Sequence, residues 1–383
     1  EHNKMLTRIY GTAFDKKSEL DAYLEAVEEA KKRDHNKLGR ELGFFMTDEN
    51  IGQGLPLYKA KGAKLMQLLQ RFVEDVEERN GYILTKTPLM AKSALYKMSG
   101  HWDHYRDKMF IIGDEDSEDV LALRPMTCPY QFTIYNNDLH SYKDLPVRYA
   151  ETATLFRKEA SGEMHGLTRV RQFTLADGHI VCTPDQVEQE FKGALDIIYY
   201  MLDCFKLNDE VSFRFSKWDP NNSDKYIDMP EAWERTQKIM KQILDNLGLE
   251  YEEADGEAAF YGPKLDVQSR NVYGKEDTLF TIQIDFALAE RFSMTYVDEN
   301  GEKKYPIIIH RSSIGSYERT VSMLIEKYAG AFPLWIAPLQ VKVMSLTERT
   351  EAQALEFVKE LREMSAEELN AKLKELKEEL FNL

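Results

Sequence analysis

Two runs, Leu155-Phe156-Arg157-Lys158-Glu159 and Arg169-Val170-Arg171-Gln172-Phe173, decide how this chain folds. Each reads as part of a strand, and the polar, glycine-containing stretch between them reads as a loop. Working outward, further strands are expected at Val147–Glu151 and Thr154–Lys158 before the loop and at Arg169–Leu175 after it. Tyr82–Pro88, Thr278–Phe286 and Tyr305–His310 complete the set. Helices are expected over Ser18–Arg33, Pro56–Arg79, Pro184–Phe205 and Pro230–Leu247, with a last core helix beginning near Gly315. In the second of these, Leu65, Leu68, Leu69, Phe72, Val73 and Val76 form an apolar face that Asn80-Gly81 brings to a stop. Strands joined by short polar turns and flanked by helices favour an α+β fold built on an antiparallel sheet.

Composition narrows the function without naming it. The 383 residues are 43% hydrophobic and 30% charged, an ordinary globular balance. No apolar run approaches the roughly 18–20 residues that a membrane span needs, and Glu1-His2-Asn3-Lys4 does not open a signal sequence. Cys128, Cys182 and Cys204 are odd in number and widely spaced, so a reducing, cytoplasmic setting is expected. The net charge of −16 lowers the expectation of nucleic-acid binding, although a local basic patch around a substrate remains compatible with it.

After Trp335 the character changes. Gln340–Ser345 reads as one strand and the remainder from Thr347 as helix. Ser365-Ala366-Glu367-Glu368 fits a capping box. Leu369, Leu373, Leu376, Leu380 and Leu383 then make a narrow seam that needs a partner surface.

Three separated segments match the motifs of the class II aminoacyl-tRNA synthetases. A helix and strand ending at Pro88 resemble the first, the two runs quoted above the second, and Ile314-Gly315-Ser316-Tyr317-Glu318-Arg319 the third. Longer stretches resemble the catalytic core of threonyl-tRNA synthetases: Ser99-Gly100-His101-Trp102-Asp103-His104-Tyr105, Leu123-Arg124-Pro125-Met126-Thr127-Cys128-Pro129, Ser161-Gly162-Glu163-Met164-His165-Gly166-Leu167 and Phe260-Tyr261-Gly262-Pro263-Lys264. The resemblance implies a linker and helix over 1–42, a catalytic domain over 43–335 and the start of an anticodon-binding domain over 336–358. Residues 359–383 instead resemble the start of a small helical protein of the large ribosomal subunit.

Amino-acid activation joins a carboxylate to the α-phosphate of ATP, so two anions must meet. Fixed guanidinium groups can neutralise them and match phosphate oxygens. By resemblance, Arg157 holds the α-phosphate and the substrate carboxylate, and Glu159 accepts from the adenine amino group. Phe173 and Arg319 stack on the two faces of the adenine, with Arg169 near the terminal phosphates and Mg²⁺ bridging them. Without the family, these arginines read more readily as surface charges and Phe173 as core.

Cys128, His179 and His310 correspond to the family's zinc ligands. Their spacing gives no independent sign of a metal, and on sequence alone Cys128 reads as a small buried residue. One thiolate and two imidazoles leave a fourth position open, as in functional rather than structural sites. Zn²⁺ there would bind the amino and hydroxyl groups of threonine together. Met126, Asp177, Tyr261 and Gln283 match the threonine pocket, and His101 the proposed base for transfer to the tRNA ribose. The other readings are Asp177 in an ordinary turn and His101 packed beside Trp102. Two places depart from the common pattern: Tyr130-Gln131 replaces Gly-His, and Gly178 stands where alanine is frequent.

The resemblance thus implies threonine, ATP and tRNA(Thr) as substrates and a homodimer as the assembly. By the same resemblance the family's upstream editing domain is expected to be missing and the anticodon-binding domain to break off after about Val358, so serine activation without correction and weak tRNA selection are expected. A paralogue loading another acceptor and a non-catalytic regulatory protein are the alternatives.

Overall fold

The strands around the loop form one antiparallel pair, and both run further than their sequence pattern indicates. The computed structural model describes residues 11–381 except 115, 116, 118, 223 and 224. Its helices are α1 (Lys17–Arg33), α2 (His35–Glu41), α3 (Ala60–Arg79), α4 (Ser93–Met98), α5 (His101–Tyr105), α6 (Cys128–Tyr135), α7 (Val187–Phe205), α8 (Pro230–Asn246), α9 (Leu288–Arg291), α10 (Tyr317–Tyr328), α11 (Glu351–Glu363) and α12 (Ala366–Phe381). Its strands are β1 (Phe45–Met46), β2 (Leu57–Tyr58), β3 (Ile83–Leu84), β4 (Met90–Lys92), β5 (Ile111–Ile112), β6 (Leu121–Leu123), β7 (Val147–Phe156), β8 (Gln172–Cys182), β9 (Val211–Ser216), β10 (Glu252–Ala254), β11 (Lys264–Arg270), β12 (Glu276–Asp285), β13 (Tyr296–Val297), β14 (Lys303–Lys304) and β15 (Ile307–Ser316).

Eight strands make the main sheet in the order β10-β9-β11-β12-β15-β8-β7-β3. Neighbours from β9 to β7 are antiparallel, as expected, but the edge strands β10 and β3 pair parallel to β9 and β7. The expected strands at Val147–Glu151 and Thr154–Lys158 are one strand, β7. The strand expected at Arg169–Leu175 begins at Gln172 and continues to Cys182, so Asp177 lies within a ladder and not in a turn. Helices cover one face and the site the other, so these strands lack the alternation that would have revealed their length.

Alternate residues separate the two faces. Ala176, Ile180 and Cys182 of β8 enter a core with Leu65, Leu69, Val73 and Val76 of α3, Phe191 and Leu195 of α7 and Val321 and Leu324 of α10. Val181 and Tyr149 face the opposite way, into a smaller cluster with Cys128, Phe132 and Tyr135 of α6 and Leu288 of α9. The site grows on this second face.

Several local expectations are corrected. Helix α1 begins at Lys17, one residue before the expected Ser18, and carries the ion pairs Glu28–Lys31 and Glu29–Lys32 on its surface. Helix α7 begins at Val187, later than the expected start at Pro184; the Thr183 N–H donates to Gln186 Oε1 at 3.0 Å. Gln340–Ser345 forms no ladder and stays largely exposed, since none of the described strands pairs with it. The capping box at Ser365 forms: its N–H donates to Glu368 Oε2 at 2.7 Å, and Ser365 Oγ accepts the Glu368 N–H at 3.3 Å. On α12, Leu369 is buried while Leu373 and Leu376 are about 40% exposed. No helix among the described residues is long and apolar enough to cross a membrane.

Candidate active site

Strand register assembles the site. His310 of β15 lies directly opposite His179 of β8, and Gln283 of β12 lies opposite His310 on the other side. Two residues along, Ser312 stands opposite Asp177. These side chains share a face and border a cleft of about 770 Å³. Every residue expected in the site borders it: His101, Met126, Cys128, Arg157, Glu159, Arg169, Phe173, Asp177, His179, Tyr261, Gln283, His310 and Arg319.

At the floor, Cys128, His179 and His310 are buried, and one potential ligand atom from each lies within 4.8 Å of the others. Ligands about 2.0–2.3 Å from a tetrahedral zinc stand roughly 3.3–3.8 Å apart, so a small closure would bring all three into range. Cys128 opens α6, whose Phe132 packs edge-on against both histidines. Each imidazole has its other nitrogen occupied. His179 Nδ1 lies 2.6 Å from Gln131 Oε1, and His310 Nε2 lies 2.9 Å from Asp285 Oδ2. With Nδ1–H and Nε2–H donating there, Nε2 of His179 and Nδ1 of His310 carry the free lone pairs. Burial pushes His179 well below the usual imidazole range, keeping it in the neutral, ligating form. Burial also pushes the Cys128 thiol up, so binding a cation there would release a proton. The donor set and its supports fit zinc.

Beside this floor, Tyr261 stacks on His310 at 4.7 Å and its hydroxyl donates to Gln283 Oε1. Asp177 Oδ2 accepts from the Thr127 hydroxyl, and burial raises the Asp177 pKa despite that bond. His101 is buried, with Nδ1 2.7 Å from Ser99 Oγ and its ring edge-on to Phe260. Burial lowers its pKa to about 3, so the ring is neutral near pH 7.

The other end of the cleft is cationic. The Arg157 guanidinium lies 4.9 Å from the Phe173 ring and 5.9 Å from that of Tyr105, and its buried Nε has no partner among the described residues. Arg319 is pinned by backbone carbonyls instead of a carboxylate: Nε and Nη2 donate to Thr168 O at 3.2 and 3.1 Å, and Nη1 to Thr278 O. Burial lowers the Arg319 pKa, with Arg157 and Arg169 acting in the same direction. Such a group of cations is built to receive an anion. Glu159 Oε2 is shared by Arg169 Nε at 3.3 Å and Lys108 Nζ at 3.4 Å.

Sequence reasoning missed the supports Gln131, Asp285 and Thr127. Gln131 stood out only as a departure; its amide also donates to Thr85 Oγ1 at 2.8 Å, tying His179 to the segment after edge strand β3. The second departure also has a structural reason. A Cβ on Gly178 would sit 2.7 Å from the Arg311 guanidinium, which is buried against Glu77 and 3.9 Å from the Tyr82 ring.

Glu318, next to Arg319, is buried, and its Oε2 accepts from the Thr174 N–H at 2.8 Å and from Ser316 Oγ at 3.0 Å. Burial raises its pKa to about 7. A carboxyl raised in the folded state favours folding when protonated, so this contribution is complete below about pH 4.5 and lost as pH rises through 7. The loss is on the order of 3 kcal/mol, at about 1.4 kcal/mol per pH unit. Glu318→Gln should therefore unfold with a flatter pH profile and exceed the parent in stability at pH 8. Denaturant titrations across pH 5–8 check this; an unchanged slope would contradict it.

Comparison with known proteins sets this geometry in a family. Residues 110–328 match the class II core domain of the tRNA synthetases for G, H, P, S and T. The crystal structure of the RNA binding domain of threonyl-tRNA synthetase from Cryptosporidium parvum Iowa II superposes with a TM-score of 0.80 at 32% identity, covering 89% of this chain and 86% of that one. The chain belongs to the threonyl-tRNA synthetase family. A threonine–tRNA ligase of Clostridium botulinum (strain Alaska E43 / Type E3) is 70% identical over 363 residues, 94% of this chain and 56% of the relative. That of Geobacillus kaustophilus is 51% identical over 346 residues, 90% of this chain and 53% of the relative. The chain thus spans little more than half the length of these ligases. Residues 359–383 match the ribosomal L29 protein, in line with the resemblance noted for the tail. A Giardia lamblia prolyl-tRNA synthetase, 15% identical with a TM-score of 0.63, shares the synthetase fold.

Proposed function

We propose that this chain activates L-threonine with ATP, forming threonyl-adenylate and pyrophosphate, and passes the threonyl group to tRNA(Thr). One observation carries the reading: a Cys/His/His cluster and a set of arginines, of which Arg157 and Arg319 have no carboxylate partner among the described residues, border one cleft. A threonine carboxylate oxygen attacks the α-phosphorus, and the bond to pyrophosphate breaks. Arg157 neutralises both anions as they approach, and its unpartnered Nε–H has an acceptor only when one is bound. Phe173 and Arg319 hold the adenine, Glu159 accepts from its amino group, and Arg169 with Mg²⁺ holds the terminal phosphates. Met126, Tyr261 and Gln283 line the side-chain pocket, and Asp177 accepts hydrogen bonds from the substrate's polar groups. His101, neutral near pH 7, takes the ribose hydroxyl proton during transfer.

Cys128, His179 and His310 would hold zinc, whose open coordination supplies recognition of an amino group and a hydroxyl together. The same reading assigns 43–335 to catalysis, 1–42 to a preceding linker, 336–358 to the start of an anticodon-binding domain and 359–383 to an appended helical tail. A homodimer through β3 is part of it: this edge strand exposes Ile83 and Leu84, with Leu89 and Met90 close in sequence. Three free cysteines agree with a cytoplasmic setting.

Amino-acid-dependent exchange of pyrophosphate into ATP tests the reading. Threonine should support exchange, and valine should be slower by about 10⁴-fold because it lacks the hydroxyl. Serine, short of one methyl, should be slower by only ~10–200-fold. Equal rates with threonine and valine would contradict hydroxyl recognition, and no exchange with threonine would contradict activation.

A further inference from the structure

The short helix α2 precedes the matched core domain, yet one of its residues reaches the base of the loop that carries Arg169. His35 is buried and joins three segments distant in sequence. Its Nδ1 lies 2.6 Å from Glu326 Oε1 on α10, and its Nε2 accepts the Leu167 N–H at 3.1 Å. Because a backbone N–H can only donate, Nε2 must be the lone-pair nitrogen and Nδ1 the one that carries hydrogen toward Glu326. Glu326 is itself fixed by the Val272 N–H at 3.2 Å. Asp34, the cap of α2, accepts the Asn36 and Lys37 N–H groups through Oδ1 and the Tyr273 hydroxyl through Oδ2. The helix is therefore anchored on both sides of the imidazole.

Leu167 precedes Thr168, whose carbonyl takes both Nε and Nη2 of Arg319. Gly166, on the other side, has φ +49°, and a Cβ there would stand 2.1 Å from His35 Nε2. This glycine leaves the space that the ring fills.

We propose that His35 is a positioning residue for nucleotide binding, holding residues 166–168 so that the Thr168 carbonyl keeps the Arg319 guanidinium in the plane that receives the base. The inference rests on the cleft being an ATP site. It predicts an effect on ATP that threonine does not share, because among the described residues His35 contacts Glu326, Leu167 and the His165 ring and not the Cys128–His179–His310 floor.

Two substitutions separate positioning from simple stability. A glutamine amide reaches the place of Nε2 and can still accept the Leu167 N–H. An asparagine amide reaches only the place of Nδ1. Mg–ATP affinity by equilibrium dialysis should fall about tenfold in His35→Asn, the scale of one unsatisfied buried donor, and stay within about threefold of the parent in His35→Gln. Threonine binding should be unchanged in both. Hydrogen exchange on the parent protein needs no variant: the Leu167 amide should exchange as slowly as those of β8. Rapid exchange at Leu167, equal ATP affinity in the two variants, or a matching loss of threonine binding would overturn the proposal. A parent protein with slow exchange at Leu167 but no ATP binding would instead refute the functional reading on which the proposal stands.

Discussion

Arg157→Ala is expected to lower threonine-dependent pyrophosphate exchange by about 10³-fold or more. A single hydrogen-bond donor aimed at developing charge contributes ~10²–10³ in rate, and an arginine at a transferring phosphoryl group contributes 10³–10⁵. The geometry places Arg157 in this class. Its guanidinium lies near the Phe173 and Tyr105 rings, and among the described residues it has no carboxylate partner and its buried Nε no acceptor. Arg157→Lys keeps the charge but loses the planar fork, so it should recover only part of the rate. Metal content should be unaffected in both variants. Exchange within tenfold of the parent in Arg157→Ala would show that another group neutralises the two anions.

His310→Ala should remove both the metal and the choice of amino acid. Threonine-dependent exchange should fall about 10³-fold or more, and the expected ~10⁴-fold preference over valine should largely disappear, because the two side chains have nearly the same shape and only the hydroxyl tells them apart. Cys182→Ala provides the control. Cys182 is buried in the same strand as His179 but faces the helical core, so its loss should affect stability and leave metal content and selectivity intact. Exchange measured beside metal content by atomic absorption distinguishes these outcomes. A metal-free His310→Ala that still selects threonine over valine would contradict the assignment.

Much of the site was legible in the sequence because its residues sit in distinctive local strings. Arg157 and Glu159 flank one end of a loop, Arg169 and Phe173 the other, and Arg319 follows Gly315-Ser316 at the start of a helix. The Cys/His/His cluster was legible as a candidate metal site only through family resemblance. Cys128, His179 and His310 converge because β15 pairs with β8 in a register that sets the histidines opposite each other, and α6 lays Cys128 over them. Register depends on contacts across strands, which a linear pattern does not encode.

The supports were less visible still. Asp285 reads as the polar end of a strand, yet it is fully buried, with one oxygen on the N–H groups of Ala287 and Leu288 and the other on His310. Gln131 became meaningful only with His179 beside it. The strand expected at Gln340–Ser345 failed for the converse reason: β propensity forms no ladder where no neighbouring strand is available. The capping box at Ser365 formed as read because all its partners lie within four residues.

The most direct test of the central claim is threonine-dependent pyrophosphate exchange before and after removal of bound metal by a chelator, with zinc then restored. The account predicts that exchange falls with the metal and returns with about one zinc per chain, while Mg–ATP binding persists throughout. Exchange that continues unchanged in the metal-free protein, with threonine still preferred to valine, would contradict it.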